Sequence, residues 1–429
     1  MIKANFSWRG LIVVGRMSGG YFLTTAVNNA IPLLVLPVLT RFLDPGQYAS
    51  VALFGFLLAL CNAPVGLSLP TVIDKHFFDS KKCQVASLFG NAILVLASFS
   101  LAAALLLALT YPFLRSVVFI GFHWLLLVPV TSFMTSLLAM GLSVLRNEKK
   151  GFLFARHQVG NTVLDVSISL LLVVTLLWGW QGRVLGIIAS YSISALLIYL
   201  YLSGKGYIKL AFSREQAKRV LGLVVPLIPH SLQLVVLYQI GLLFMQHSFS
   251  KPLMGVYAVA LQIAFAVKLL NNALMLSWSP FMYEQLAKKQ GVNRIFLTRT
   301  LLVFLAVMAL GAVLIAALSG PILRIALSQP YHGANKFIPC LAAGYLFNGF
   351  ALFLTPILIK FDHHAFLSRI SMAFMLVMVA LNFLLIEVFG QMGPAIAFFL
   401  IFFLMFVSTF WKVSRVFPLP WLQAMKLWA

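Results

Sequence analysis

"PVLTRFLDPGQYASVALFG", residues 37–55, joins two long apolar runs with hardly a pause between them. Pro37 lies inside the first run, Arg41 and Asp44 punctuate its end, and a second run begins almost at once. The flanking runs, approximately 17–42 and 47–70, each exceed the ~20 residues a helix needs to cross a ~30 Å hydrocarbon core. The stretch therefore reads as the turn of a transmembrane hairpin. Working outward, ten further runs of this kind follow, at about 86–110, 117–144, 154–178, 184–203, 219–246, 253–280, 296–318, 335–359, 366–388 and 392–414. They are too long and continuous for the alternating ten-residue strands of a membrane barrel. The expected fold class is all-α: a polytopic membrane protein with twelve transmembrane helices.

Composition agrees. Of 429 residues, 62% are hydrophobic and 9% charged, with mean hydropathy +1.01. A soluble domain is about a quarter charged, so this chain lacks the polar shell for a water-facing surface and must be solvated by lipid. The net charge of +22 reads as topology signal and contact with anionic membrane lipids rather than nucleic-acid binding. Cys61, Cys83 and Cys340 are far apart, without metal-site spacing, so neither a disulfide framework nor a metal centre is expected. The N-terminal "MIKANFSWRGLIVVGRMSGG" has no A-x-A-like cleavage site and is expected to be the mature start.

With both termini on one side, the Lys and Arg residues distribute 24 to that side, six to the other, and one, Lys268, inside a span. The excess alternates loop by loop. By the positive-inside rule the termini and the basic loops are cytoplasmic. The longest basic connector, "SGKGYIKLAFSREQAKRV" (203–220), divides the chain into six plus six spans. Domains are expected at 1–203 and 219–429, with a cytoplasmic linker at 204–218. Ser213 and Gln216 fit a capping box, so a short amphipathic helix is expected to lead into span seven. Two such halves match a parallel-repeat arrangement about an axis along the membrane normal. A shift of 206 residues places Asn62 over Lys268, though residue identity between the halves is poor. Tryptophans near the span ends fit an interfacial belt, and the tail "FPLPWLQAMKLWA" fits a surface-lying segment.

Polar residues within the spans are the candidate functional groups. Lys268 lies deep in span eight, with Asn271 and Asn272 at i+3 and i+4 on one helical face. A cation at the bilayer centre costs about 2.5–3.5 kcal/mol on insertion scales, so this stripe needs a protein partner or a wet cavity. Lining a cavity and a purely interhelical bond are the two readings. Span one carries a similar stripe at Thr25, Asn28 and Asn29, and Pro32 and Pro37 permit a bend. Span seven carries Pro226 and Pro229 beside His230. Asp165 is the one carboxylate deep in the predicted core. It is read either as half of an ion pair or as a coupling group that changes protonation. Arg41 and Asp44 at the first turn read as solvated or paired. His363 and His364 read as a solvated loop. No nucleotide-binding loop, HExxH or GxSxG occurs, and no cofactor is called for.

"LPVLTRFLDPGQYASVALFGFLLAL" (36–60), with Arg41, Leu43 and Tyr48 and with Ala49 in the usual glycine place, resembles the first hairpin of Wzx-type polysaccharide flippases of the MOP exporter superfamily. "KPLMGVYAVALQIA" (251–264), with Gly255 and Tyr257, resembles the matching turn of the second half. "SWSPFMYEQLAKKQ" (277–290) resembles the end of span eight. The resemblance implies a MATE-like fold of two six-helix bundles around a central, generally cationic cavity, working by alternating access. It implies translocation of an undecaprenyl-diphosphate-linked oligosaccharide, such as an O-antigen, capsule or exopolysaccharide unit. Transport would run from the cytoplasmic to the periplasmic leaflet of a bacterial inner membrane, beside the polymerase and chain-length regulator of that pathway. It places Lys268 in a cavity-lining helix. Asn28, Asn29, Asn271, Asn272, Arg16, Arg41 and His230 are then the further candidate substrate contacts, and Asp165 the candidate ion-coupling group. Only one basic residue is deep, fewer than a heavily cationic cavity would have. A multidrug exporter of the same superfamily is the nearest alternative. An oligosaccharide polymerase is a more distant one, since no large periplasmic loop or catalytic carboxylate pair is present.

Overall fold

The computed structural model describes residues 24, 27–28, 30–64, 66–79, 81–115, 118–286 and 293–426. Among them every regular element is helical. The opening turn is explained by capping. Helix α1, Ala30–Phe42, ends two residues before Asp44. The Asp44 Oδ1 accepts the Gln47 N–H at 2.8 Å, and Pro45 starts α2, Pro45–Asn62. An aspartate satisfying an orphan N–H, with proline at the first helical position, starts a helix with no linker.

Nine helical stretches among the described residues are long and apolar enough to cross a membrane. They comprise α4 (Lys82–Leu114), α5 (Phe122–Asn147), α6 (Gly151–Leu170, continued by a π turn to Thr175) and α7 (Gly179–Gly204). Next come α8 (Arg214–Val224) running on into α9 (Ile228–Ser248), then α10 (Lys251–Leu286), α11 (Arg294–Ala326) and α12 (Ile338–Lys360). The ninth stretch holds α13 (His364–Phe389) and α14 (Gly393–Val416), separated by a short 3-10 turn. The chain is therefore a multi-pass, all-α membrane protein. Exposed Leu101, Leu105, Leu109 and Phe113 form a four-residue stripe on α4, the pattern of a face that meets lipid tails.

One expected span is interrupted. The run 47–70 breaks after Asn62 at a turn containing Pro64, and α3 (Leu69–Phe77) resumes beyond it. Proline removes a helix hydrogen bond and clashes with the preceding turn. Irregular backbone within a span is tolerated where protein or a wet cavity covers it. Pro226 has a comparable effect between α8 and α9, where Val225–Leu227 tightens to a 3-10 turn.

The described residues fall into two compact units: those of Met1–Leu43 with Ser50–Leu232, and Asp44–Ala49 with Gln233–Ala429. In the first unit α5 packs on α3, α4, α6 and α7. Leu69, Val85, Phe89, Leu145, Ile198 and Val220 belong to its buried core. The basic connector is docked on this unit. Lys209 N–H donates to the Ala86 carbonyl at 3.1 Å, and Asn91 donates to Ala211 at 3.0 Å while accepting from Ser213 N–H at 2.9 Å. Ser213 accepts from Gln216 N–H and caps α8, the amphipathic helix expected there. Outside the spans, Glu148 is ion-paired with Lys150 at 2.8 Å and accepts from the Tyr207 hydroxyl at 2.6 Å. Burial would raise the Glu148 carboxyl, but these two partners outweigh it and hold it below its ordinary value. Burial and the same contact push the Tyr207 phenol up to about 12.

In the second unit α12 packs on α10, α11 and α14. Tyr48 donates to Gln262 on α10 and meets Tyr331 edge-on at 6.0 Å. Gly255 is required here, since a Cβ would collide with the Pro45 carbonyl. Trp278, assigned from sequence to an interfacial belt, is instead fully buried and donates to the Phe353 carbonyl at 2.7 Å. Trp124 is also buried, whereas Trp178 and Trp411 are exposed. The tail packs on the second unit, with Phe417, Leu419 and Ala424 buried and Leu422 exposed.

Candidate functional site

Lys268 stands at the middle of α10, about 26 Å from its first residue at 1.5 Å per residue. Its ammonium lies 3.5 Å from the centroid of the Tyr238 ring and 5.5 Å from that of Phe265. Tyr238 is fixed by three neighbours. Its hydroxyl donates to Asn348 at 2.9 Å, its ring stacks on Tyr345 at 6.0 Å, and Phe402 closes the other flank at 5.2 Å. No carboxylate forms an ion pair with Lys268 among the described residues. A cation–π contact contributes about 0.5–2 kcal/mol, against an insertion cost of about 2.5–3.5 kcal/mol. The aromatic face offsets only part of that cost.

The other members of that stripe diverge. Asn271 is buried and donates to the Tyr345 carbonyl on α12 at 2.8 Å. Gly349 leaves the space it occupies, for a Cβ there would collide with Asn271 and Met308. Asn271 thus forms an interhelical bond beside the lysine, and its Oδ1 is buried without a partner. Asn272, by contrast, is exposed. His230 and Arg41 are exposed as well, on α9 and at the end of α1. Arg16 and Asn29 lie outside the described residues.

The first unit holds a different polar centre. Asn28 accepts from Thr162 on α6 and lines a cavity of about 280 Å³. At its base the Asn62 Oδ1, at the broken end of α2, accepts from Ser132 at 2.8 Å and from Thr135 and Ser136 at 3.1 Å. Gln158, Asn161 and Tyr191 complete the polar lining. The Asn161 side chain hydrogen-bonds Tyr191, while its Oδ1 and the Gln158 Oε1 are buried with no partner. One turn beyond Asn161, Asp165 accepts from the two terminal guanidinium nitrogens of Arg183, at 2.5 and 3.1 Å. Arg183 also donates to Ser169 at 2.6 Å. Of the two readings of Asp165, the structure displays the ion pair.

Sequence reading did not single out Gln158, Asn161, Tyr191 or Tyr238. Asn161 precedes Asp165 by four residues, so helical spacing carried a signal. Asn62 was noted only through its half-chain register with Lys268. Tyr238 had no signal, because its role depends on helices meeting across the unit.

No family model matches the chain. It is similar to the Haemophilus influenzae protein called Lsg locus putative protein 1, with 25% identity over 280 residues. That match covers 63% of this chain and 66% of the relative, just under two thirds of the latter's length. Among solved structures, it is similar to an inward-facing multidrug resistance MATE family transporter of the MOP superfamily. The TM-score is 0.74, at 13% identity, over 94% of this chain and 96% of that one. An outward-facing structure of such a transporter gives 0.61 at 13% identity, over 92% and 95%. A MATE crystal structure in complex with MaD3S gives 0.61 at 14% identity, over 94% and 95%. The fold is that of MATE transporters of the MOP superfamily.

Proposed function

We propose that this chain is a transporter, not an enzyme, and that it moves an anionic, lipid-linked oligosaccharide from the cytoplasmic to the periplasmic leaflet of a bacterial inner membrane. An undecaprenyl-diphosphate carrier is the substrate class that the sequence resemblance implies. The observation that carries the reading is Lys268: a cation at the middle of a membrane-crossing helix, seated on an aromatic ring, with no carboxylate partner among the described residues. An ammonium in a partly dry site attracts a diphosphate far more strongly than in water. Aromatic rings hold the lysine in place without neutralising it, so its charge stays available to a ligand. Both termini and the basic loops face the cytoplasm in this reading, by the positive-inside rule.

A multidrug exporter is the second reading, favoured by the MATE structures that share the fold. A site for cationic drugs calls for an accessible buried carboxylate. Asp165 is held by two nitrogens of Arg183, which favours the anionic substrate. The test is deletion of the gene in its host with analysis of lipid-linked glycans by leaflet. Accumulation of a glycan lipid facing the cytosol supports the flippase. Raised drug sensitivity without such accumulation supports the exporter.

A further inference from the structure

Among the described residues, the lining of the first-unit cavity presents no cation for a diphosphate. Its chemistry is amide and hydroxyl. The Asn62 Oδ1 is saturated by three hydroxyl donors. What is unfinished is a pair of acceptors: Asn161, 9% exposed, leaves its Oδ1 unpartnered, and Gln158 leaves its Oε1 unpartnered. Buried acceptors without partners are costly, so the cavity suits an occupant that donates hydrogen bonds. Its size is well beyond that of a single water or a bare ion. A water needs roughly 15 Å³ by this kind of measure, against about 280 Å³ here, near the lower end of small-ligand pockets. A metal cation also prefers charged oxygens. Among the described residues the lining contains no carboxylate, and the nearby Asp165 is engaged by Arg183. The break in α2 points the same way. It places the end of a helix at the cavity, irregular backbone of the kind that membrane-embedded binding sites use.

We infer that the first-unit cavity is a carbohydrate subsite: Gln158 and Asn161 accept from hydroxyls of a neutral sugar ring, beside the aromatic ring of Tyr191. This rests on the flippase reading and adds to it that the glycan is recognised as a sugar, separately from the charge of its carrier. The two parts need not be engaged at the same moment.

The test uses the full-length protein in nanodiscs. The probes are bare undecaprenyl diphosphate and three derivatives carrying one hexose, one N-acetylhexosamine or one 6-deoxyhexose. At least one derivative should bind roughly tenfold more tightly than the bare lipid, the gain expected from about two hydrogen bonds. The near-isosteric substitutions Gln158→Met and Asn161→Leu should each abolish most of that gain and leave affinity for the bare lipid unchanged. Equal binding of all four probes overturns the carbohydrate subsite while leaving the flippase standing. A gain that survives in both variants also overturns it. So does thermal stabilisation by sodium chloride over choline chloride that both variants lose, which would mark a cation site. If no probe binds, the bare lipid included, the flippase reading falls with it.

Discussion

The two units each bury charge within the membrane and treat it in opposite ways. In the first, Asp165 and Arg183 are closed on each other, with Ser169 taking a further donor. In the second, Lys268 lies over the aromatic faces of Tyr238 and Phe265, with no ion pair among the described residues. A closed pair stabilises the fold, whereas a cation held by rings would, in the proposed function, keep its field for a ligand. Neighbouring asparagines divide similarly. Asn271 contributes an interhelical bond, and Asn161 offers a bare acceptor to a cavity.

Breaking the closed pair should have the largest structural effect. Removing one partner of a buried pair costs about 3–5 kcal/mol because the other charge is stranded. Asp165→Ala and Arg183→Ala should each sharply lower the thermal unfolding midpoint in detergent. The double variant should recover part of the loss. If Asp165→Ala leaves stability intact but stops transport, its carboxylate is a coupling group after all and the contrast between the units dissolves.

Next in size is the stripe on α10. Asn271→Ala removes the bond to Tyr345 and should cost about 0.6–2 kcal/mol. Asn272→Ala, on the exposed side, should be close to neutral. Equal effects in the same unfolding assay would contradict the divergence of the two side chains.

Much of the fold was legible because membrane insertion writes it in coarse symbols. Twelve apolar runs and an alternating basic bias need no knowledge of packing. The Asp44–Pro45 cap carried a local signal, since Asp followed by Pro is a helix start, but Asp44 reads from the sequence only as solvated or paired. Long-range partners left no comparable mark. Arg183 is one of the six basic residues that the loop count puts on the non-cytoplasmic side, and its partner appears only when α6 and α7 are side by side; Trp278 looked interfacial until α12 covered it. Pro64 did carry a signal, but the apolar run around it read as one span. At the sites, burial marked Lys268 out in advance because a deep cation is costly. Gln158 and Tyr238 acquire meaning only from what the tertiary fold places beside them.

Asp44→Ala should cost about 1 kcal/mol through loss of the α2 cap, read from the unfolding midpoint, and Asp44→Asn should restore most of it. The smallest effect is expected at Glu148. Its carboxyl is held below the usual glutamate value, so it binds fewer protons folded than unfolded. Its stabilisation is therefore present above the unfolded value of about 4.3 and is lost as pH falls through the lower, folded value. Glu148→Gln should lower the unfolding midpoint slightly at pH 7, with the difference from the parent protein shrinking at more acidic pH. A difference that grows on acidification would have the wrong sign.

The most direct measurement is the affinity of purified Lys268→Met for bare undecaprenyl diphosphate, beside its unfolding midpoint. Loss of one charge-assisted contact predicts roughly tenfold to hundredfold weaker binding, with a midpoint near that of the parent protein. Unchanged affinity in a folded variant would contradict the claim that this unpaired cation is there for the diphosphate.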